Sequence, residues 1–366
     1  MASIPTLNTL RTGRRGPRLR GGRGGRSLPD SPSNDLNDSI EAGRDHVVQQ
    51  TDNDASNSRQ SAVALGYLND SFSSAFGTPE LQASRRYPII NRGTYVRTKA
   101  IDKLVKNFLD SRPNEKKQII SLGAGSDTRF FRLASEETIS AKIVYHELDF
   151  EANVARKRAC IRQSPQLEAV ISQARSSGSE YHLHALDLRN LTNKSPPIIP
   201  GLDSDLPTLL LSECCLCYLP PDTATSVLQY FTMNLKSSLA LALYEPIRPY
   251  DAFGRTMVTN LASRGIHLQT LKQYSSLEAQ RQRLKLAGFD TGQGARDVYQ
   301  LYRNEDWVSA KERERVEALE WLDEIEEWKL LASHYCIAWS WRGEAFTEAW
   351  AKVEGSRTPA EGDEGG

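Results

Sequence analysis

Five short apolar runs constrain this chain more than any other feature: QIISLGAG, KIVYHELDF, YHLHALDL, PTLLLSECCLCYL and SLALALYEPI. Each has the length and near-continuous apolar character of a parallel strand buried on both faces. Between the runs lie DTRFFRLASEE, ANVARKRACIRQ and DTATSVLQYFTMNLKS, which read as helices. Strands alternating with helices predict a doubly wound α/β sheet. Further on, DVYQLY and SHYCIAWSW read as two antiparallel strands at the far edge. KERERVEALEWLDEIEEWKLL, between them, reads as an amphipathic helix with Val316, Leu319, Leu322, Ile325 and Trp328 near helical spacing. The stretch from Arg248 to Leu286 is longer than a crossover needs and predicts helices over the sheet, ending in the turn Ala287-Gly288-Phe289. Upstream of the first strand, NRGTYVRTKAIDKLVKNFL predicts a loop entering a helix.

The ends of the chain are of a different kind. Residues 1–55 begin with RTGRRGPRLRGGRGGR, which carries seven arginines, and continue as a Ser-, Asp- and Asn-rich stretch. Neither part has enough apolar surface to offset the entropy of ordering, so a disordered tail is expected. An Arg/Gly run can touch RNA weakly through phosphates. It can also serve as a mitochondrial presequence, although its glycines oppose the helix such a leader needs. Residues 354–366 predict a second, acidic tail, which leaves 56–353 as the folded domain. Lys+Arg and Asp+Glu are both 46, so overall charge makes no case for nucleic acid or an anionic membrane as partner. The five cysteines, Cys160, Cys214, Cys215, Cys217 and Cys336, form no disulfide framework, and no apolar run is long enough for a bilayer. A cytoplasmic, monomeric protein is expected.

Candidate chemistry sits at the ends of the predicted strands. In LGAGSDTR a strand runs into Gly123-Ala124-Gly125 and a helix follows. Glycines there permit a tight turn and close approach of a ligand to the backbone. The third glycine of a dinucleotide fingerprint is replaced by Thr128, which argues against a nicotinamide cofactor. Asp149, ending the next strand, can accept from the two hydroxyls of a ribose or cap a helix. Asp187, ending the third, can meet an adenine amino group, with Leu188 against the ring, or simply turn the chain. Glu213 ends the fourth, where a buried carboxylate needs a partner: a ligand ammonium or a nearby arginine. The cysteines after it lack the companions of a tetrahedral metal site, and no metal is expected. His182 and His184 share a strand face and are read as structural. Asn91-Arg92-Gly93, Tyr95 and Arg97 offer carboxylate-binding guanidiniums or surface salt bridges.

Taken together, NRGTYVR, LGAGSDTRFFRL, YHELDF followed by RK, LSECCLCYLPP, YEPIRPYDAFGRTMVTNL and SHYCIAWSW resemble the leucine carboxyl methyltransferase family from about Arg59 to Trp341. The resemblance implies a class I S-adenosylmethionine-dependent methyltransferase fold, with a seven-stranded, mostly parallel sheet and helical additions over the substrate site. It implies S-adenosylmethionine as cofactor, held by Arg59, Arg97, Gly123, Asp149, Asp187, Leu188 and Glu213. The family often has Lys where Arg59 stands. The implied substrate is the C-terminal leucine of type 2A protein phosphatase catalytic subunits, its carboxylate positioned by Arg97 and Tyr218. A related branch modifies a tRNA base and carries an appended β-propeller.

Overall fold

The computed structural model describes residues 33–77, 85–136, 141–323 and 325–358. The Arg/Gly run lies outside them. All five apolar runs form strands: β1 (Lys117–Leu122), β2 (Ile143–Asp149), β3 (Glu180–Ala185), β4 (Thr208–Glu213) and β5 (Leu239–Pro246). They pair in parallel in the order β3-β2-β1-β4-β5. The sheet continues with β7 (Tyr335–Arg342) antiparallel to β5, then β6 (Gly292–Asp297). This order, with its reversed β7, is the class I methyltransferase sheet. A two-residue strand β8 (Ser356–Arg357) pairs with β6, so the sheet has eight strands rather than seven.

Alternate residues of each buried strand feed two cores. On one face Ile119, Leu209, Leu211, Ala240 and Ala242 pack against α2 (Pro88–Ser111) through Ile101, Leu104 and Phe108. On the other, Ile120, Leu210, Leu241 and Leu243 pack against Val227, Leu228 and Phe231 of α6 (Pro221–Asn234). The period-two alternation of a strand is what divides neighbours such as Ile119 and Ile120 between layers. The other sheet helices are α3 (Arg129–Ala134), α4 (Glu151–Gln163) and α5 (Pro165–Ser176). Helix α5 starts where the Ser164 side chain accepts from the Leu167 amide and Pro165 takes the first turn. The stretch predicted for helices holds α7 (Ala252–Ser263) and α8 (Leu277–Leu286); α8 packs on β6 and β7, its Leu284 in the same core as α6.

Several expectations are corrected. The stretch 33–55 is not a tail: α1 spans Ser33–Ala64. Carboxylates past its midpoint hold it to the body. Asp52 accepts from the Ser126 amide at 2.7 Å and pairs with Arg156 at 2.9 Å, while Asp54 pairs with Arg86 and Arg264. Residues 354–357 also belong to the body. Glu354 pairs with Arg296 and accepts from the Trp307 indole at 3.1 Å, and the Ser356 hydroxyl accepts from Trp339 at 2.8 Å. NRGTYVR is helix rather than loop, since α2 begins at Pro88.

DVYQLY is not a strand. VYQLYR forms α9 (Val298–Arg303), started by a reciprocal cap between Asp297 and Gln300, and the strand is the preceding GQGARD. Gly292 and Gly294 sit opposite Trp341 and Trp339; a Cβ on either would lie 2.1 or 2.2 Å from an indole atom. The facing tryptophans supply the burial the glycines lack. The single amphipathic helix is two, α10 (Ala310–Glu317) and α11 (Ile325–Ser333). Val316 and Trp328 are buried, but Ile325 is 60% exposed. Finally, α12 (Glu344–Trp350) packs on α2, where Phe346 stacks on Phe108 at 4.3 Å.

Candidate active site

The strand order reverses direction at β1, whose neighbours are β2 and β4. At such a switch point the loops at the carboxyl ends diverge and leave a crevice. Here it is a cavity of about 610 Å³, within the range of small-ligand sites. Arg59, Arg97, Gly123, Asp149, Asp187, Leu188, Glu213 and Tyr218 all line it. The structure thus brings together every residue that the resemblance assigns to the cofactor or the carboxylate, whereas Asn91, Arg92, Gly93 and Tyr95 do not line the cavity.

Gly123 and Gly125 have φ of 63° and 49°, the left-handed region that glycine enters at least cost. A Cβ on Gly123 would lie 2.6 Å from the Cys215 sulfur, and one on Gly125 would lie 2.2 Å from a carboxylate oxygen of Asp52. The loop is therefore closed down on both sides. Asp149 organises it from β2. One of its oxygens accepts from the Gly125 amide at 2.7 Å; the other accepts from the Phe150 amide at 2.7 Å and Asn153 at 2.9 Å. Burial pushes its carboxyl above the ordinary range, against the pull of those bonds. A carboxylate has about four acceptor sites, so three bonds leave room for a hydroxyl.

Glu213 is the electrostatic centre. Arg97 reaches it from α2 through Nε at 2.6 Å, and Arg129 through an Nη at 2.8 Å. Burial pushes the Glu213 carboxyl up; Arg129 and Arg97 more than reverse this and hold it below the ordinary range. Of the two partners considered for Glu213, arginine is present. Arg97 lies 4.6 Å from the centre of the Tyr244 ring, and Tyr218 follows β4 in a short 3₁₀ turn. Burial raises the Tyr218 phenol well above its usual value. Arg59 bridges Asp70 at 3.2 Å and Asp127 at 3.8 Å behind the glycine loop.

Asp187 is already engaged. Both its oxygens accept from Arg189, which also binds Glu41 at 2.7 Å and Asp45 at 2.5 Å. Reading of Arg129, Asp45 and Asp52 as site residues was missed from the sequence. Arg129 lies inside LGAGSDTR, and an arginine two residues after an aspartate on a turn was a usable signal. The α1 carboxylates carried none, since their partners are far off in the chain.

The cysteines form no disulfides, and among the described residues no three His, Cys, Asp or Glu side chains converge as a metal-binding group. His182 and His184 stack with His146 at the β2–β3 edge, with 2.9 Å between His146 Nδ1 and His184 Nε2. They lie outside the cavity lining. Among the described residues no helix is long and apolar enough to cross a membrane.

Comparison with known proteins gives the chemistry its family. A leucine carboxyl methyltransferase family profile matches residues 48–232. Leucine carboxyl methyltransferase 1 of Emericella nidulans is 55% identical over 87% of this chain and 91% of its own length. The chain belongs to the leucine carboxyl methyltransferase family. The Aspergillus fumigatus protein of that name is 51% identical over 86% of this chain and 88% of its own. A more distant relative, tRNA wybutosine-synthesizing protein 4 of Rattus norvegicus, is 36% identical over 83% of this chain but only 45% of its own length.

S-adenosylmethionine is the methyl donor of leucine carboxyl methyltransferases, and the cavity suits it. A glycine turn with no room for a Cβ, a buried aspartate with an open acceptor site and an arginine–glutamate pair match a nucleoside carrying an amino acid.

Proposed function

We propose that this methyltransferase esterifies the α-carboxylate of the C-terminal leucine of type 2A protein phosphatase catalytic subunits. The observation that carries this reading is the placement of Arg97 and Tyr218 on the wall of the same cavity as Asp149 and the glycine turn. One end suits a nucleoside and the other suits a carboxylate. The names of the relatives that match over most of their length point to a leucine carboxylate as the acceptor.

Bound S-adenosylmethionine supplies an electrophilic sulfonium methyl. Asp149 would hold the ribose and Leu188 would pack on the adenine. Asp187 would meet the adenine amino group only as Arg189 yields an acceptor site. Arg97 engages Glu213 through Nε, so the outer edge of its guanidinium can take a second carboxylate. Tyr218 Oη, kept protonated by burial, can donate to the leucine carboxylate. That carboxylate, with a pKa of about 3.5, is ionised at neutral pH, so no base has to remove a proton. The work left for the protein is orientation and removal of water. The clamp must not neutralise the nucleophile. The pairing of Arg97 with Glu213 suits this, since it leaves the guanidinium only partly available. The mouth of the cavity includes Gly265, His267 and Gln269, from the segment between α7 and α8.

The test is methyl transfer from labelled S-adenosylmethionine to purified phosphatase catalytic subunit, with and without its terminal leucine. Label that requires the leucine and is released by mild base is expected. Cofactor binding without label on the intact subunit rejects this acceptor and points to RNA or a small molecule. Asp149→Asn is expected to weaken cofactor binding about tenfold by calorimetry, the loss of one hydrogen bond to a charged group. Unchanged affinity would remove Asp149 from the ribose site.

A further inference from the structure

We propose that Tyr244, backed by Tyr335, is a positioning residue that aims the Arg97 guanidinium at the carboxylate being methylated. Neither ring lines the cavity. Parallel pairing sets Tyr244 of β5 beside Glu213 of β4, and paired neighbours in a sheet point to the same face. Both therefore meet one side chain of α2. Arg97 Nε donates to Glu213 at 2.6 Å, and the guanidinium carbon lies 4.6 Å from the centre of the Tyr244 ring. Tyr335 of β7 is diagonal to Tyr244 in the antiparallel register and stacks on it at 5.4 Å, with the planes 11° apart. Glu213 is not free to follow a moving arginine, because its other oxygen is 2.8 Å from Arg129.

An arginine side chain has many rotamers, and these two contacts leave few of them. The carboxylate takes the Nε side and the ring takes the cation. The two Nη nitrogens donate to no described residue, and Arg97 lines the cavity, so they are the donors left for an incoming carboxylate. A ring attracts a cation through the negative potential of its face, and more so where both are shielded from water. Tyr244 is 0% exposed, and among the described residues its hydroxyl has no hydrogen-bond partner. An unpaired buried hydroxyl costs stability, so the ring rather than the hydroxyl is what serves Arg97. The direction of the guanidinium fixes the direction of the carboxylate it holds. An error there costs rate as well as binding, because displacement requires the attacking oxygen in line with the methyl group.

The kinetic test rests on the function proposed above; a spectroscopic one does not. In the full chain Tyr244 is replaced by phenylalanine, then by mono-, di- and trifluorophenylalanine. These keep the shape of the ring and progressively weaken the negative potential of its face. Tyr244→Phe, which loses only the unpaired hydroxyl, is the reference for the series. Each added fluorine is expected to lower kcat/KM for the phosphatase catalytic subunit, reaching about tenfold below the reference, with KM carrying most of the change. Cofactor affinity by calorimetry is expected to stay constant across the series. A ring that only filled space would give no trend, and being isosteric the variants should fold where Tyr244→Leu fails. No trend with fluorine overturns the proposal. So does a trend in cofactor affinity instead, or a loss already complete in Tyr244→Phe, which would place the role in the hydroxyl. If wild type transfers no methyl group to the phosphatase, the function reading fails, and the Arg97 side-chain nitrogen signals in NMR decide this inference. Rotation of the Nη groups should be slow in the reference and quicken with fluorine; equal rates overturn the proposal.

Discussion

Replacing Arg129 with methionine is expected to lower folding stability by about 3–5 kcal/mol, the range for breaking a buried ion pair on one side. The Arg129 side chain is wholly buried. Its three nitrogens reach Asp102 at 2.9 Å, Asp127 at 2.6 Å and Glu213 at 2.8 Å. Burial alone would push the Asp127 carboxyl up; Arg129, Arg59 and neighbouring cations bring it down to about 2. Methionine fills much of the volume but leaves Asp127 and Glu213 short of a counter-charge in a region with little water. Glu213 would then be held by Arg97 alone, so the cavity wall should also lose definition. A urea titration reads the loss as a lower midpoint with an unchanged slope. The contrast is Arg112→Met, whose pairing with Glu348 is at the surface and should leave the midpoint nearly where it was. If Arg129→Met shifts the midpoint no more than Arg112→Met, the buried network is not what holds this part of the fold.

The histidine stack should make the fold sensitive to acid. Burial, then His182 and His184, lowers His146 from 6.5 to about 3. In the unfolded chain it titrates at its ordinary value, so between pH 6.5 and 3 the unfolded state binds more protons. Stability from a neutral His146 is complete above pH 6.5 and is lost as pH falls toward 3. At pH 5 the loss is about 2 kcal/mol for this one group. Glu147 works in the opposite sense in part of the same window, because burial pushes its carboxyl up to about 7 and protonation suits it. Comparing wild type with His146→Gln at pH 7.5 and pH 5 removes that term, since both proteins carry Glu147. The wild-type advantage should shrink by about 2 kcal/mol at the lower pH. A constant gap would mean that His146 already gains a proton in the folded state.

Four of the five parallel strands were legible because burial on both faces leaves an unbroken apolar run, whereas β3, at the sheet edge, is only partly buried and has a mixed sequence. The site residues at their ends were legible for a related reason. In a doubly wound sheet every parallel strand points its carboxyl end to the same edge, so Gly123, Asp149, Asp187 and Glu213 must meet there once the strands are identified. The elements that local pattern misjudged are those whose stability comes from elsewhere in the chain. GQGARD is a strand because Trp339 and Trp341 cover its glycines, and VYQLYR is a helix because the Asp297 cap starts it.

What only the tertiary structure decided is which charges find one another. Asp52 reaches Ser126 and Arg156, Asp45 reaches Arg189, and Arg129 gathers Asp102, Asp127 and Glu213. A carboxylate in a polar stretch looks the same in sequence whether it faces water or a guanidinium 144 residues away, as Asp45 and Arg189 are. Apolar periodicity is written along the chain, because a strand or helix repeats its buried face locally. Ion pairing depends on distances across the fold, and no local repeat records them. The sequence by itself therefore determined the sheet, the edge that carries the site and the family. The folded chain determined which arginine holds Glu213, and that α1 forms a wall of the cavity.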